Sequence, residues 1–388
     1  MKKRPRRLAA CLFNSSRLSR DMLKGICTVA QQEDIEVAVL ENHLRMSRAY
    51  LQGLGVDGIL AQLFSAEILD DLKGSGIPLY HLGSGLPDKH LPVVRSDNKE
   101  VGRLAARFFL QRGFQHFGFF SRDAHRGGRE RLAGFQEALA KAGRTCFVCE
   151  GSVVEIAGNP RCIERIEKQL RDTPKPSAIL VWQDGMYDLI LNSCQRLGFA
   201  VPRDLSILGV NDDIRPIVPH RPALSSVRLN GFEIGCQGTL RLLGSLRNEK
   251  PRPEELLVPP LLIMERQSTN SFAVADPMIR RACDWMRAHL EQPMEVGELA
   301  RHLGGSRRQL ERRFDAVISC SPYSAFLNLR MDRAKELLLD TSLKIETIAQ
   351  CTGFGDAPHF SSTFKRRFGE SPAAFRKRSG AGILPDAF

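Results

Sequence analysis

Glu298-Leu-Ala-Arg-His-Leu-Gly-Gly-Ser-Arg-Arg-Gln-Leu-Glu-Arg-Arg-Phe314 is the stretch from which the rest of the chain can be read. Leu299, Leu303, Leu310 and Phe314 fall on one side of two short helices separated by Gly304-Gly305, and Ser306 is placed to cap the second. The arginines stay on the other side. A helix that enters the major groove needs this division, with one face anchored in the protein and the other offering side chains to phosphates and base edges. The whole unit runs from Val296 to Ile318 and predicts a helix-turn-helix.

The design is repeated between Ile345 and Phe368. Ile345, Ile348 and Ala349 mark a short helix, Cys351-Thr-Gly-Phe-Gly355 a turn, and Asp356 a cap for the helix that follows. Pro358 suits the first turn, where a missing N–H costs nothing. Phe360, Phe364 and Phe368 recur as a buried stripe, with Lys365, Arg366 and Arg367 beside them. Between the units, Pro322 to Leu339 reads as a helix of about 18 residues and about 27 Å. That suits a spacer setting two reading helices about one duplex turn, roughly 34 Å, apart. An arginine-rich helix face is usually only a solvated face, and one such motif is a weak signal. Two in tandem, each with its turn glycine, cap and aromatic anchor, point to double-stranded DNA.

From about Asp276 to Arg378 the chain resembles the DNA-binding domain of the AraC/XylS family of bacterial transcription regulators. The resemblance is most specific in Ile348-Ala-Gln-Cys-Thr-Gly-Phe354, Phe360, Phe364-Lys365, Phe368 and Ser371-Pro-Ala-Ala-Phe-Arg376. It implies base contacts at Arg308, Glu311 and Arg312, flanked by Arg307 and Arg313, and in the second unit at Ala357, Pro358, Ser361 and Ser362. Ala357 and Pro358 cannot make bidentate base contacts. The second unit is therefore expected to hold the phosphate backbone through Lys365 and Arg366 more than it specifies sequence.

The chain has 388 residues, which leaves about 270 in front of that domain, enough for one large or two small lobes. A net charge of +12 and a pI near 9.4 fit a polyanionic partner, though charge alone would equally suit RNA or an anionic membrane. The basic start, Met1 to Arg7, is followed by an apolar stretch too short for a signal peptide, and no run of about 18 apolar residues follows. A cytoplasmic location and no membrane contact are expected. The ten cysteines show no framework spacing, which favours reduced thiols. Cys146-Phe-Val-Cys149 has the spacing of half a zinc site but no second pair to complete it.

Ahead of about Pro260, short apolar segments alternate with helix-length periodic ones. Strands are expected at 8–13, 35–40, 58–61, 78–81, 93–94, 116–120, 145–149, 178–182 and 206–210, with helices at 18–31, 99–112, 129–142, 160–171, 185–197 and 232–247. This alternation predicts parallel sheets flanked by helices, two lobes, and a ligand cleft at the carboxyl ends of the strands. Gly83-Ser-Gly85 and Gly127-Gly128 do not extend to a nucleotide fingerprint, and the nine histidines give no metal pair. Asp212-Asp213 in a strand-to-loop turn more often binds hydroxyls or caps a helix than does acid/base chemistry. No catalytic residue, metal or cofactor is expected, and the chain does not read as an enzyme.

Arg131-Leu-Ala-Gly-Phe135, Ala178-Ile-Leu-Val-Trp-Gln-Asp184, Ala223-Leu-Ser-Ser-Val227 and above all Gly198-Phe-Ala-Val-Pro-Arg-Asp-Leu-Ser-Ile-Leu-Gly-Val-Asn-Asp212 resemble the effector-binding domain of the lactose/galactose repressor family, a periplasmic-binding-protein-like fold. That family carries its DNA-reading unit at the N-terminus, not the C-terminus. The order found here is that of the xylose-operon-activator subgroup of AraC-type regulators, and Leu257 to Thr269 looks like the end of that subgroup's sensor. The expected division is a sensor at 1–269, a linker at 270–276, a double helix-turn-helix domain at 277–379 and a tail at 380–388.

A sugar clamp needs bidentate partners for hydroxyls and an aromatic face for the ring. The resemblance places such groups at Asn14, Ser15 and Arg17, at Arg131, at Asp184, and at Asn211 with Asp212. Asn211 departs from the usual Asp. Phe64, Phe120 and Trp182 are candidates for the apolar wall, with core packing the plainer reading of Trp182. The expected activity is sugar-dependent activation of an operon by a homodimer that recruits RNA polymerase. Two other readings stay open: a front domain that has lost its ligand and serves dimerisation or partner contact, and a transport solute-binding protein, against which the DNA-reading tail argues. Convergent polar groups in the cleft around Arg131, Asp184 and Asn211, rather than side chains filling it, would favour a sensor.

Overall fold

The computed structural model describes residues 6–13, 16–41, 48–85, 91–122, 126–151, 160–213, 222–247, 255–270, 276–318 and 320–380. The alternating segments build two six-stranded sheets. The first contains β1 (Arg7–Leu12), β2 (Glu36–Glu41), β3 (Gly58–Ala61), β4 (Leu79–Leu82) and β5 (Val93–Ser96). The second contains β6 (His116–Arg122), β7 (Cys146–Gly151), β8 (Ser177–Val181), β9 (Leu205–Val210) and β10 (Ser225–Arg228). β11 (Leu256–Val258) then returns to the first sheet and β12 (Leu262–Met264) to the second, giving the orders β11-β5-β4-β3-β1-β2 and β12-β10-β9-β8-β6-β7. All recorded pairings are parallel except β10 with β12. β3, β4, β8 and β9 are buried along their whole length, as parallel strands covered on both faces must be.

The helices of lobe 1 are α1 (Arg17–Gln32), α2 (Arg48–Leu54) and α3 (Ala66–Gly74); α4 (Asn98–Leu110), α5 (Arg126–Lys141), α6 (Pro160–Asp172) and α7 (Tyr187–Arg196) belong to lobe 2, and α8 (Gly231–Leu246) returns to lobe 1. The chain thus passes between the lobes three times, after β5, after β10 and between β11 and β12. Two of the crossings end in helix caps, Asp97 accepting from Glu100 N–H at 2.9 Å and Asn230 from Glu233 N–H at 3.1 Å.

Glycine sets the helix packing in both lobes. A Cβ on Gly102 of α4 would lie 2.0 Å from the Arg131 carbonyl oxygen, and one on Gly134 of α5 1.9 Å from that of Lys99. α1 and α8 meet in the same way, through Gly25 at 2.1 Å from the Phe232 oxygen and Gly235 at 2.0 Å from the Met22 oxygen. Each pair therefore touches backbone to backbone.

The C-terminal domain contains α9 (Pro277–Ala288), α10 (Val296–His302), α11 (Arg307–Ile318), α12 (Pro322–Asp340), α13 (Ile345–Cys351), α14 (Ala357–Phe368) and α15 (Pro372–Arg378). Leu299, Leu303, Leu310 and Phe314 are buried with Met278, Cys283 and Phe326. Phe360 and Phe364 are buried with Ile348, Phe354 and Phe375, while Phe368 is partly buried at the edge of that cluster. Leu262 and Met264 of β12 join the second cluster, so the sensor's last strand is packed into the second reading unit. Arg330, in the middle of α12, donates to the carbonyls of Leu290 and Gln292 and stacks over Phe326 at 4.4 Å, fixing the spacer against the first unit.

The elements expected from the sequence are present with boundaries shifted by a few residues. β10, β11, β12, α2, α3, α9 and α15 were not expected. β11 and β12 have three residues each, too few for a periodic signal. β10 reads as polar, Ser-Ser-Val-Arg, yet is wholly buried because its side chains find protein partners: Ser225 Oγ donates to the Arg266 carbonyl and Ser226 Oγ to Asp184.

Candidate functional site

A cavity of about 460 Å³ opens at the carboxyl ends of the strands of both lobes. Phe13, Gln62 and Gly83 each follow the last residue of β1, β3 and β4; Trp182, Asn211 and Leu229 do the same for β8, β9 and β10. A parallel sheet ends there, so the first residue past each strand has no ladder partner and its side chain is delivered to the cleft. Phe13 and Phe64 meet edge to face at 5.0 Å and form an apolar wall, with Phe64 51% exposed before any ligand covers it.

Opposite that wall, Arg131 of α5 is 7% exposed and lines the cavity. Its Nε donates to Asn98 Oδ1 at 2.9 Å, and Nη1 donates to the Trp182 carbonyl in a very short contact. Asn98 in turn donates to Ser84 Oγ at 2.9 Å, linking the two lobes. Burial lowers the Arg131 pKa to about 10, with Asp184 and Glu130 acting in the opposite direction, so the guanidinium stays charged near neutrality. Gln62 is held too, its Oε1 accepting from Phe13 N–H at 3.0 Å and Ser19 Oγ at 2.8 Å.

Of the expected ligand residues, Arg131 and Asn211 line the cavity, whereas Asn14 and Ser15 lie outside the described residues. Asp184 is not among the residues that line the cavity and acts as a staple within lobe 2. Its carboxylate accepts from Asp213 N–H and from Ser226 Oγ, both at 2.7 Å, and its pKa is pushed up to about 7, mainly by burial. Trp182 is 5% exposed and serves core and cavity together. Phe120 instead lies wholly in the lobe 2 core, stacked edge to face with Phe147 at 5.9 Å, because its side chain falls on the covered face of β6. Phe13, Gln62, Ser84, Asn98 and Gln183 were missed from the sequence; their signal was their position next to a strand end.

Asp212 does something different from its neighbour. Both Asn211 and Asp212 have positive φ, 110° and 54°, a turn that sends the two side chains apart. Asp212 is fully buried and accepts from Arg228 Nε and Arg266 Nη2, each at 2.6 Å, with Arg17 Nε at 3.6 Å. Arg17 and Arg228 also face Asp340, the last residue of α12, at 3.7 and 2.8 Å. A second staple joins the domains at Glu265, which pairs with Arg112 at 2.6 Å and Arg287 at 3.4 Å. Burial would raise the Glu265 pKa, but the two arginines outweigh it and hold it below the usual range.

In the reading units, Ser306 caps α11 by accepting from Gln309 N–H at 3.2 Å, and Asp356 caps α14 by accepting from His359 N–H at 2.7 Å. Arg308, Arg312, Pro358, Ser362, Lys365 and Arg366 are exposed; Ala357 and Ser361 are half-buried. Arg307 pairs with Glu311 at 2.8 Å on the outer face. Arg313 donates to both oxygens of Asp276 at 2.8 and 2.9 Å, tying α11 to the cap of α9. Among the described residues no cluster suited to a metal ion occurs, and no helix is long and apolar enough to cross a membrane.

A two-lobe cleft feeding ion pairs into a double helix-turn-helix domain is the architecture of a ligand-responsive transcription regulator. Residues 106–269 match the periplasmic binding protein-like domain family and residues 299–378 a helix-turn-helix domain family. The chain is 25% identical over 376 residues to the xylose operon regulatory protein of Haemophilus influenzae, covering 95% of this chain and 97% of that one. It is also 25% identical over 377 residues to the protein of the same name from Escherichia coli strain K12, covering 94% and 95%. The solved structure of the xylose-binding transcription activator xylR superposes with a TM-score of 0.63 at 22% identity, over 97% of this chain and 99% of that one. The chain thus joins a periplasmic-binding-protein-like sensor domain to a helix-turn-helix DNA-binding domain, the arrangement of an AraC-type transcription regulator with its sensor in front.

Proposed function

We propose that this protein is a sugar-responsive activator of a catabolic operon, for xylose or a related sugar. The observation that carries the reading is the cavity: about 460 Å³ between two lobes suits a single small ligand, and Arg131, Asn211, Gln62 and Asn98 converge on it beside an aromatic wall. A domain kept only for dimerisation would fill that space with side chains. The residues assigned to the ligand are Arg131 and Asn211, together with Asn14 and Ser15 by resemblance; Asp184, Asp212 and Arg17 hold the frame and carry the signal.

DNA is read by α11, through Arg308, Glu311 and Arg312 with Arg307 and Arg313 flanking, and clamped by α14 through Lys365 and Arg366, with Ala357, Pro358, Ser361 and Ser362 at its entry. Ligand binding favours one lobe arrangement, and a differential affinity for that arrangement is what shifts the reading domain. The protein works in the cytoplasm as a homodimer on adjacent half-sites and contacts RNA polymerase, and this role calls for no cofactor. A thermal-shift screen of pentoses, hexoses and their derivatives tests this, because saturation at about 100 times Kd adds about 2.7 kcal/mol of stability. Silence across the screen, with operator binding intact, would remove the sensor role.

A further inference from the structure

We infer that the effector is an anion, a small polyhydroxylated carboxylate of the aldonic or uronic acid class, bound with its carboxylate on Arg131. The inference rests on the sensor reading above and deepens it. Among the described residues that line the cavity, Arg131 is the one that carries charge; the others are amides, hydroxyls, glycine and apolar side chains. Both of its protein acceptors are neutral, the Asn98 amide oxygen and the Trp182 carbonyl, and no described carboxylate lies within ion-pair distance of it. Nη2 has no protein acceptor among the described residues.

The nearby carboxylates among the described residues are committed elsewhere. Glu130 binds Arg95 through both oxygens, at 2.5 and 2.9 Å, and also Arg126 at 3.0 Å. Glu255 binds the same two arginines, at 2.5 and 2.8 Å. Two glutamates thus serve two arginines. Asp184 is closed off by Asp213 N–H and Ser226 Oγ, and Asp212 by Arg228 and Arg266. Among the described residues that leaves a guanidinium 93% buried with no direct counter-ion, a state that is costly until a partner of opposite charge arrives. A planar carboxylate fits the guanidinium fork. Asn211 fits the same ligand, since its amide can meet hydroxyls without bringing a negative charge beside the carboxylate. Gln183, Ser84 and Gln62 provide further hydroxyl partners, and the Phe13–Phe64 wall covers the C–H face.

The test is titration calorimetry on the full-length protein with D-xylonate, D-gluconate and D-galacturonate, each set against D-xylose, D-glucose and D-galactose. At least one acid should bind about tenfold or more tighter than its neutral counterpart, and Arg131→Gln should lose about tenfold or more of that affinity while Arg131→Lys loses less. Asn211→Asp, at the cavity surface and not a hydrogen-bond partner of Arg131, should also weaken the acid about tenfold, so the proposal stays testable if the Arg131 variants fail to fold. A neutral sugar that binds as tightly as its acid overturns the anion and leaves a sugar sensor standing. An acid that binds Arg131→Gln undiminished overturns the assignment to Arg131. Heat from neither set, with operator binding intact, removes the sensor reading itself.

Discussion

Arg228 Nη1 donates to Asp340 Oδ1 at 2.8 Å, and this contact joins the last residue of β10 in the sensor to the last residue of the spacer helix α12. Arg228 is 3% exposed and is held from its other side by Asp212, the residue after Asn211 in the cavity wall. Burial would lower the Arg228 pKa, but Asp212 and Asp340 outweigh it and the group is held above its ordinary value. One residue past the ligand contact, the chain is therefore coupled through a carboxylate, a guanidinium and a second carboxylate to the entrance of the second reading unit. Because Leu262 and Met264 are buried in that unit's core, the junction is apolar contact and ion pair together.

Asp340→Asn should uncouple the domains more than it destabilises either. The aspartate is 36% exposed, so the fold should lose only about 1 kcal/mol. Operator affinity without effector should stay within about threefold, while the factor by which effector changes it should move towards one. Fluorescence anisotropy on an operator fragment, with and without effector, measures both. An unchanged effector response would show that coupling runs through the β12 packing or Glu265 instead.

Asp212→Asn has the opposite character. It leaves the buried Arg228 and the half-buried Arg266 against a neutral amide, and breaking a buried ion cluster by removing one partner costs about 3–5 kcal/mol. Circular dichroism melts should show a large fall in Tm for this variant, and little change for Asn211→Ser one position earlier. Comparable melts for the two would contradict the separation of roles between these neighbours.

Gly134→Ala tests the backbone contact between α4 and α5. A methyl group 1.9 Å from the Lys99 carbonyl oxygen forces the helices apart, at a cost of about 1–3 kcal/mol or more. The same movement stretches the Asn98–Arg131 bond, which spans these helices, so effector affinity should fall although neither residue is changed. A drop in Tm with unaltered effector affinity would mean that the cavity does not depend on this packing.

Asp184 gives the sensor a pH dependence. Its carboxyl has a folded pKa of about 7 against 3.8 for the free group, so between those values the native state keeps a proton that the unfolded chain has lost. Each upward step in pH within that window favours unfolding; the contribution is whole below about 3.8 and lost as pH rises through about 7. Asp184→Asn should flatten the fall in Tm between pH 5 and pH 8 and gain roughly 1–2 kcal/mol at the upper end, less than the full shift implies because some water reaches the group. Parallel melts of wild type and variant across that range decide it.

Much of this molecule was legible in the sequence because periodicity reports burial. The long alternating segments and the Phe360, Phe364, Phe368 stripe gave lobes and reading units directly. Arg131 and Asn211 were legible as cavity residues by resemblance. Phe13, Gln62 and Asn98 were not, because a single residue past a strand carries no pattern of its own and becomes a ligand group only when six strand ends meet. Asp184 and Asp212 were assigned to ligand by the same resemblance, and a carboxylate beside a cleft reads the same whether it faces the cavity or the protein behind it. Which way it faces was decided by Ser226 and Arg228 on β10, a strand whose polar sequence hid it.

The two reading units should respond differently to the loss of one charge. Arg308 stands exposed on α11, free of any ion pair among the described residues, where a guanidinium can reach guanine O6 and N7 as a fork. Arg308→Ala should therefore cost about 1–3 kcal/mol on the cognate operator and much less on unrelated duplex, narrowing the ratio between them. Lys365 lies in the last turn of α14 behind Pro358 and Ala357, which offer no base-reading groups, so its ammonium is left to a phosphate. Lys365→Ala should weaken all duplexes alike and lower the slope of log K against log salt by about 0.9, the loss of one released counter-ion. Binding titrations at four or five salt concentrations on cognate and scrambled operators separate the two effects. If both variants lowered the salt slope and left the specificity ratio untouched, α11 would be a second clamp and the reader would have to be sought in α14.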